Sequence, residues 1–365
     1  MTGLQKILAF LAGGVSLLAG VLAMAEGNAS VWMLTYMTIG VLTLIRFALP
    51  LIFWVDGAVA AFGAAILVIA LPNHDIEPAW YWLALVAAWA FAWLFVEQLS
   101  AAIRRQEVPA GVFGVVIPVV FGLALLLIWE IVTQGANVPA VLLPPPSQIW
   151  DRLVDSVPLL WADFQQTFLK AVLAGYAIGC AAGFLVAIAV DRSPFLKRGL
   201  LPIGNFASAL PIIGIAPIFV MWFGFDWPSK AAVVVAMTFF PMLVNTVAGL
   251  NASGQIERDL MRTYASSYWQ TLFKLRLPAA APFIFNALKI NSTLALIGAI
   301  VAEFFGTPIV GMGFRISTEV GKLNIDLVWA EIAIAAVAGS AFYGVIALIE
   351  RAVTFWHPSV RGGRA

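Results

Sequence analysis

Charge is scarce in this 365-residue chain: Lys, Arg, Asp and Glu make up 11% of it and nearly cancel, to a net +1. A near-neutral chain offers no field for a polyanion, so nucleic acid is not expected as a partner. Cysteine occurs once, at Cys180 inside an apolar run, which rules out an internal disulfide. The two histidines, His74 and His357, stand far apart without Cys or carboxylates at ligand spacing, so no metal site is expected. The phosphate-cradling pattern G-x-x-x-x-G-K-[ST] is absent. No carboxylate pair and no nucleophile with a base stands out, so neither catalytic residues nor a cofactor is expected.

Apolar residues are abundant instead, at 62% with a mean hydropathy of +0.97. A soluble domain carries about half apolar and a quarter charged residues, so this excess cannot be hidden in one water-soluble core. A bilayer-spanning helix takes up roughly 20 such residues, and lipid leaves unpaired backbone groups no alternative to helix. The expected fold is all-α and polytopic. About ten spans are predicted, near 5–25, 31–49, 53–72, 79–98, 110–132, 166–190, 200–222, 230–250, 281–304 and 328–352. The second and third are separated only by Arg46, Pro50 and Asp56 in "RFALPLIFWVDG". The first admits two readings, a retained helix or a signal segment cleaved after Ala23-Met24-Ala25. Alternating outward from Lys6 inside puts fourteen Lys and Arg residues on the inner side and five on the outer. Basic residues resist translocation, so both termini are expected in the cytoplasm.

The polar, charged "SAAIRRQEVPAG" reads as a cytoplasmic linker. It divides four tightly connected spans, residues 1–105, from six spans with long loops, residues 106–365. On the outer side Pro144, Pro145 and Pro146 stop any helix, and "SQIWDRLVDSV" reads as a short amphipathic helix capped by Ser147. No internal repeat or low-complexity run is visible.

The cytoplasmic loop 251–280 holds the most informative stretch, "YASSYWQTLFKLRLPAAAPFIF", which begins at Tyr264. From Arg258 to Phe273 the pattern is helical: Leu260, Tyr264, Tyr268 and Leu272 recur every fourth residue, widened by Met261, Trp269 and Phe273. Pro278 and Pro282 bound the start of the next span. Two readings fit: an amphipathic helix stiffly joined to a membrane helix and pressed by a partner, or a helix lying in the lipid headgroups. Elsewhere, Pro202, Pro211 and Pro217 with Gly204 and Gly214 predict a kinked helix over 200–222, either lining a solute path or merely packed. Gly175, Gly179 and Gly183 form a smooth packing face. Glu130, Lys289, Glu303 and Glu331 sit at or near span ends, where function and snorkelling compete.

The segment "DLMRTYASSYWQTLFKLRLP", 259–278, resembles the cytoplasmic loop signature of permease subunits in binding-protein-dependent ATP-binding cassette (ABC) importers, EAA-x3-G-x9-I-x-L-P. Aligned on Pro278, the acid is Asp259, the glycine position is Ala265, and Leu260 and Met261 replace the alanines. "LLPPPSQIWDRL", "LPIIGIAPIFVMWFGFDWPSK", "PMLVNTVAGL" and "LALIGAIVAEFFG" resemble further segments of the nitrate/sulfonate/taurine branch, so that the resemblance covers about 110–358. It implies a six-helix type I permease core over 106–365, preceded by four extra helices of unknown role. It implies an ATP-driven importer of the bacterial inner membrane, passing a small solute from an external binding protein. The solute would be nitrate-, sulfonate- or taurine-like, or a small heterocyclic nutrient. The ATPase would be a separate subunit, contacted through Asp259, Arg262, Thr263, Tyr264, Ala265, Ser266, Tyr268, Leu277 and Pro278. A permease homodimer is the simpler expectation. Pro211, Gly214, Pro217 and Glu303 are the candidates for the substrate path. The competing expectations are an ATP-independent secondary transporter or channel, disfavoured by few ionisable groups deep in the spans, and a non-transporting scaffold.

Overall fold

The computed structural model describes residues 3–26, 31–45, 53–70, 79–207, 211–306 and 310–356; His74, His357, Arg46 and Pro50 fall outside them. Every regular element among the described residues is helical. Among the described residues, helix occurs at each of the ten predicted positions, and seven helical stretches are long and apolar enough to cross a membrane. The predicted spans at 31–49 and 53–72 are the helices α2 (Val31–Ile45) and α3 (Phe53–Ala70). The predicted span at 200–222 is two helices, α9 (Pro194–Ala207) and α10 (Ile212–Phe223). Pro211 stands just before α10 with extended backbone, φ −69 and ψ 117, where its ring-fixed φ and missing N–H cost nothing.

Helix packing forms two compact units, residues 1–149 and 150–365. In the first, α1 (Gly3–Ala25) packs on α2 and on α4 (Ala79–Arg104), and α4 also meets α3 and α5 (Ala110–Gly135). Within this unit α5 packs on α3 as well as on α4. Small residues permit the close approaches: Ala12, Ala19 and Ala23 are buried, and a Cβ on Gly20 would meet the Met37 side chain at 1.9 Å. Such fits matter because lipid supplies no hydrophobic drive between helices. Tyr81, fully buried, donates its hydroxyl to the Leu67 carbonyl at 2.9 Å, which satisfies the one polar atom of a large apolar side chain.

In the second unit α11 (Trp227–Asn251) is central, packed between α8 (Leu173–Arg192) and α14 (Leu277–Glu303). The expected glycine face is present. A Cβ on Gly175 would lie 2.6 Å from Val234, one on Gly179 2.0 Å from Thr238, and one on Gly183 2.5 Å from the Phe239 carbonyl. Upstream, α7 (Val157–Phe164) runs through a π-helical stretch, Gln165–Val172, straight into α8. The helix α14 has 27 residues, so it measures roughly 40 Å against a hydrocarbon core of about 30 Å. It is prolonged at its start by α13 (Tyr268–Thr271) and a π-helical turn, Leu272–Arg276. The helix α16 (Ile325–Val353) packs on α14, and α15 (Met312–Gly321) packs on both.

Candidate functional site

Between α11 and α14 stands α12, Gln255–Thr263, and none of its residues is buried. Ile256, Leu260 and Tyr264 recur every fourth residue along one side and are 84%, 55% and 75% exposed. Covering such side chains is worth about 1.5–3 kcal/mol each, so the stripe is an apolar face that the described residues leave open. The helix is anchored near both its ends. At the start, the Arg258 guanidinium donates to the Ser253 carbonyl at 2.7 Å and to the Ser253 hydroxyl at 2.9 Å. At the far end the chain closes in a Schellman turn: Ser266 N donates to the Met261 carbonyl at 3.0 Å and Ala265 N to the Arg262 carbonyl at 2.9 Å. That turn needs a left-handed residue, and Ala265 supplies it at φ +52.

The continuous helix expected over 258–273 is therefore two helices. Ser267 starts the second with a capping box, its hydroxyl accepting from Gln270 N while the Gln270 side chain accepts from Ser267 N. The expected four-residue stripe splits accordingly: Leu260 and Tyr264 are exposed, whereas Leu272 is buried and Tyr268 half-buried. Asp259 and Arg262 form an exposed ion pair at 3.2 Å, of the kind that contributes little. Thr263 returns its hydroxyl to the Asp259 carbonyl at 3.0 Å. Leu277 and Pro278 are the first residues of α14, where a missing N–H costs nothing.

Beneath this turn lies a cluster that sequence reasoning missed. Arg276 donates through both terminal nitrogens to Asp191 at 2.6 Å each, and the Tyr268 hydroxyl donates to the same carboxylate at 2.9 Å. The Arg276 Nε donates to the Leu250 carbonyl at 3.0 Å. The only signal in the sequence was an Asp and an Arg at the ends of two apolar runs, which many ion pairs share.

A second cluster surrounds Glu303. Its carboxylate accepts from the Thr167 hydroxyl at 2.7 Å and from Gly313 N at 2.7 Å. Thr167 in turn accepts from Met312 N at 2.8 Å, and Asp163 accepts from Gly311 N at 2.6 Å and from the Arg315 Nε at 2.8 Å. The first amides of α15 thus each find a side-chain acceptor, and the positive helix end faces two carboxylates. Lys230, 1% exposed, donates to the carbonyls of Phe225 and Gly306. Asp226 caps α11; the Trp227 N–H and then the Gln166 amide hold its carboxyl below the usual range. Pro211, Gly214 and Pro217 lie on or beside α10, whose Met221 and Trp222 are 84% and 71% exposed; α10 packs on α14 through Ala216 and Ala302, next to Glu303, which is buried in the cluster just described. Among the described residues no cluster of His, Cys, Asp and Glu is suited to a metal.

Residues 175–355 match the family described as "Binding-protein-dependent transport system inner membrane component". The chain is 33% identical over 210 residues to a "Probable ABC transporter permease protein" of Haemophilus influenzae, covering 58% of this chain and 85% of that one. It is 31% identical over 239 residues to the formylaminopyrimidine transport permease protein ThiX of Halalkalibacterium halodurans, covering 66% and 95%. To the putative aliphatic sulfonates transport permease protein SsuC of Bacillus subtilis it is 28% identical over 252 residues, covering 68% and 89%. With seven helices able to cross a bilayer among the described residues, it is a multi-pass membrane protein and a transport component. The chain belongs to the binding-protein-dependent inner membrane component family, as an ABC importer permease of the nitrate/sulfonate/taurine branch.

Proposed function

We propose that this chain is the membrane path of an ATP-driven importer and that α12 is the helix through which a separate ATPase subunit drives it. The observation that carries this reading is an amphipathic helix without a single buried residue, anchored near its ends, in the loop whose sequence resembles the coupling signature. A helix so exposed gains stability only from something outside the chain. Asp259, Arg262, Thr263, Tyr264, Ala265 and Ser266 form the docking face, and Tyr268, Leu277 and Pro278 form its root. ATP binding closes a pair of such ATPase subunits, so differential affinity at α12 shifts inward- and outward-facing populations.

Two copies of the permease pair in the bacterial inner membrane with both termini inside, and a binding protein delivers solute at the outer face. Residues 106–365 act as the permease and 1–105 as a membrane extension. The α10 segment with Pro211, Gly214 and Pro217 borders the solute path, and Glu303, already satisfied, fixes its outer end. The solute is a small sulfonate-like anion or a small heterocycle, the chemistries carried by the names of SsuC and ThiX.

The test is capture of the tagged full-length chain from membranes and detection of a bound ATP-hydrolysing subunit. Tyr264→Asp and Ala265→Arg each place charge on the docking face and are expected to lower the bound subunit by roughly ten-fold, the loss of about 1.4 kcal/mol. Full binding in both variants, with the helix intact, refutes the docking reading and leaves a helix lying among headgroups.

A further inference from the structure

Covalent continuity carries any displacement of α12 and α13 into α14, but nothing covalent carries it into α8. The Asp191 cluster supplies that second connection, and on the docking reading of α12 it acquires a role. Asp191 is in the last turn of α8, and its side chain is 5% exposed; that of Arg276 is 13% exposed. The planar guanidinium meets the carboxylate with two parallel N–H···O bonds of 2.6 Å, a geometry that resists rotation as well as separation. Its remaining Nε is spent on the Leu250 carbonyl at the end of α11. The Tyr268 hydroxyl, on α13, closes the arrangement at 2.9 Å. One turn of chain therefore grips the ends of α8 and α11 at once.

The neighbouring Arg192 guanidinium adds a looser contact on the same side. It lies 5.6 Å from the centre of the Tyr268 ring and 5.9 Å from that of Trp269. The π-helical turn sets the register. Each residue turns a helix by about 100°, so one residue fewer in Leu272–Arg276 would swing Arg276 away from α8.

We propose that Asp191 is the positioning residue of a transmission joint: clamped by Arg276 and Tyr268, it makes α8 follow the nucleotide-driven movement of α12 and α13. Lys cannot replace Arg276 here, because an ammonium lacks the fork that holds Asp191 and the Leu250 carbonyl together. A purely structural ion pair would support stability without selecting which helix responds to nucleotide. The joint rests on the coupling reading, yet it fails separately from it.

Hydrogen exchange of the full-length chain with its captured ATPase subunit, in nanodiscs, with and without ATP plus vanadate, separates the outcomes. In the unmodified complex, nucleotide should change exchange both over 255–276 and over the last turns of α8, residues 186–193. In Asp191→Asn and in Arg276→Lys the response over 255–276 should persist while that over 186–193 falls by about ten-fold, within the range of coupling between sites. Tyr268→Phe keeps the ion pair and should reduce the α8 response by two- to three-fold, which preserves the test where the charge variants do not accumulate. An α8 response equal to wild type in these variants overturns the joint, even if their thermal stability drops. An unmodified complex with no α8 response does the same. No nucleotide response over 255–276 in the unmodified complex overturns the docking reading and the joint together.

Discussion

Replacing Ala265 by glycine should strengthen the loop that the sequence signature marks. Ala265 occupies the left-handed position of the Schellman turn at φ +52, with its amide bonded to the Arg262 carbonyl and the following amide, Ser266 N, bonded to that of Met261. An L-residue in that conformation costs roughly 1–2 kcal/mol, because its Cβ crowds the carbonyl that follows. Glycine removes the crowding but returns about 0.4–1 kcal/mol as extra freedom of the unfolded segment. The net expectation for Ala265→Gly is a gain of about 0.5–1 kcal/mol in closing the turn, and a two- to five-fold slower exchange of the Ser266 amide. Ala265→Val should act oppositely, since a β-branched side chain is worse at positive φ. Position-resolved hydrogen exchange, corrected for intrinsic rates, reads both effects; a global melting curve dilutes them over the whole chain. Equal or faster exchange of Ser266 in the glycine variant would refute the assignment of a strained left-handed residue there.

Packing at the glycine face and at the α15 start can be probed in the same preparation by denaturant or thermal unfolding. Gly183→Ala should cost about 1–3 kcal/mol, because the new Cβ meets a backbone carbonyl, Phe239 O, at 2.5 Å and the two helices must part. Gly114→Ala on α5, with nothing within 4 Å of the added Cβ, should cost nothing. A wild-type melting point for Gly183→Ala would place the α8–α11 contact further apart than described. Thr167→Val keeps the shape but leaves Met312 N and a Glu303 oxygen without their hydroxyl partner, an expected loss of roughly 2–4 kcal/mol. A loss below measurement error would mean that other groups satisfy both.

Composition and hydropathy alone determine that this chain is a bundle of membrane helices, because the excess of apolar residues leaves no soluble alternative and each run is long enough to see. The small-residue face on α8 was equally legible, since it is a local pattern: Gly175, Gly179 and Gly183 repeat with the helix itself. The break within loop 251–280 was half legible. A period of four residues ran unbroken through Tyr264 and Tyr268, yet a capping box at Ser267 and a left-handed Ala265 stop the helix there. Local apolar spacing carries no information on backbone handedness at an alanine. Tertiary structure alone decided the rest. Asp191 and Arg276 are 85 residues apart, and Thr167 and Glu303 are 136 apart, so their pairing depends on how α8, α11 and α14 pack. A carboxylate near a span end reads the same whether it snorkels to water or anchors the next helix. Glu303 does the latter because the Gly313 amide in the first turn of α15 folds back onto it and the Thr167 hydroxyl reaches it, and sequence adjacency cannot reveal a partner that arrives through space.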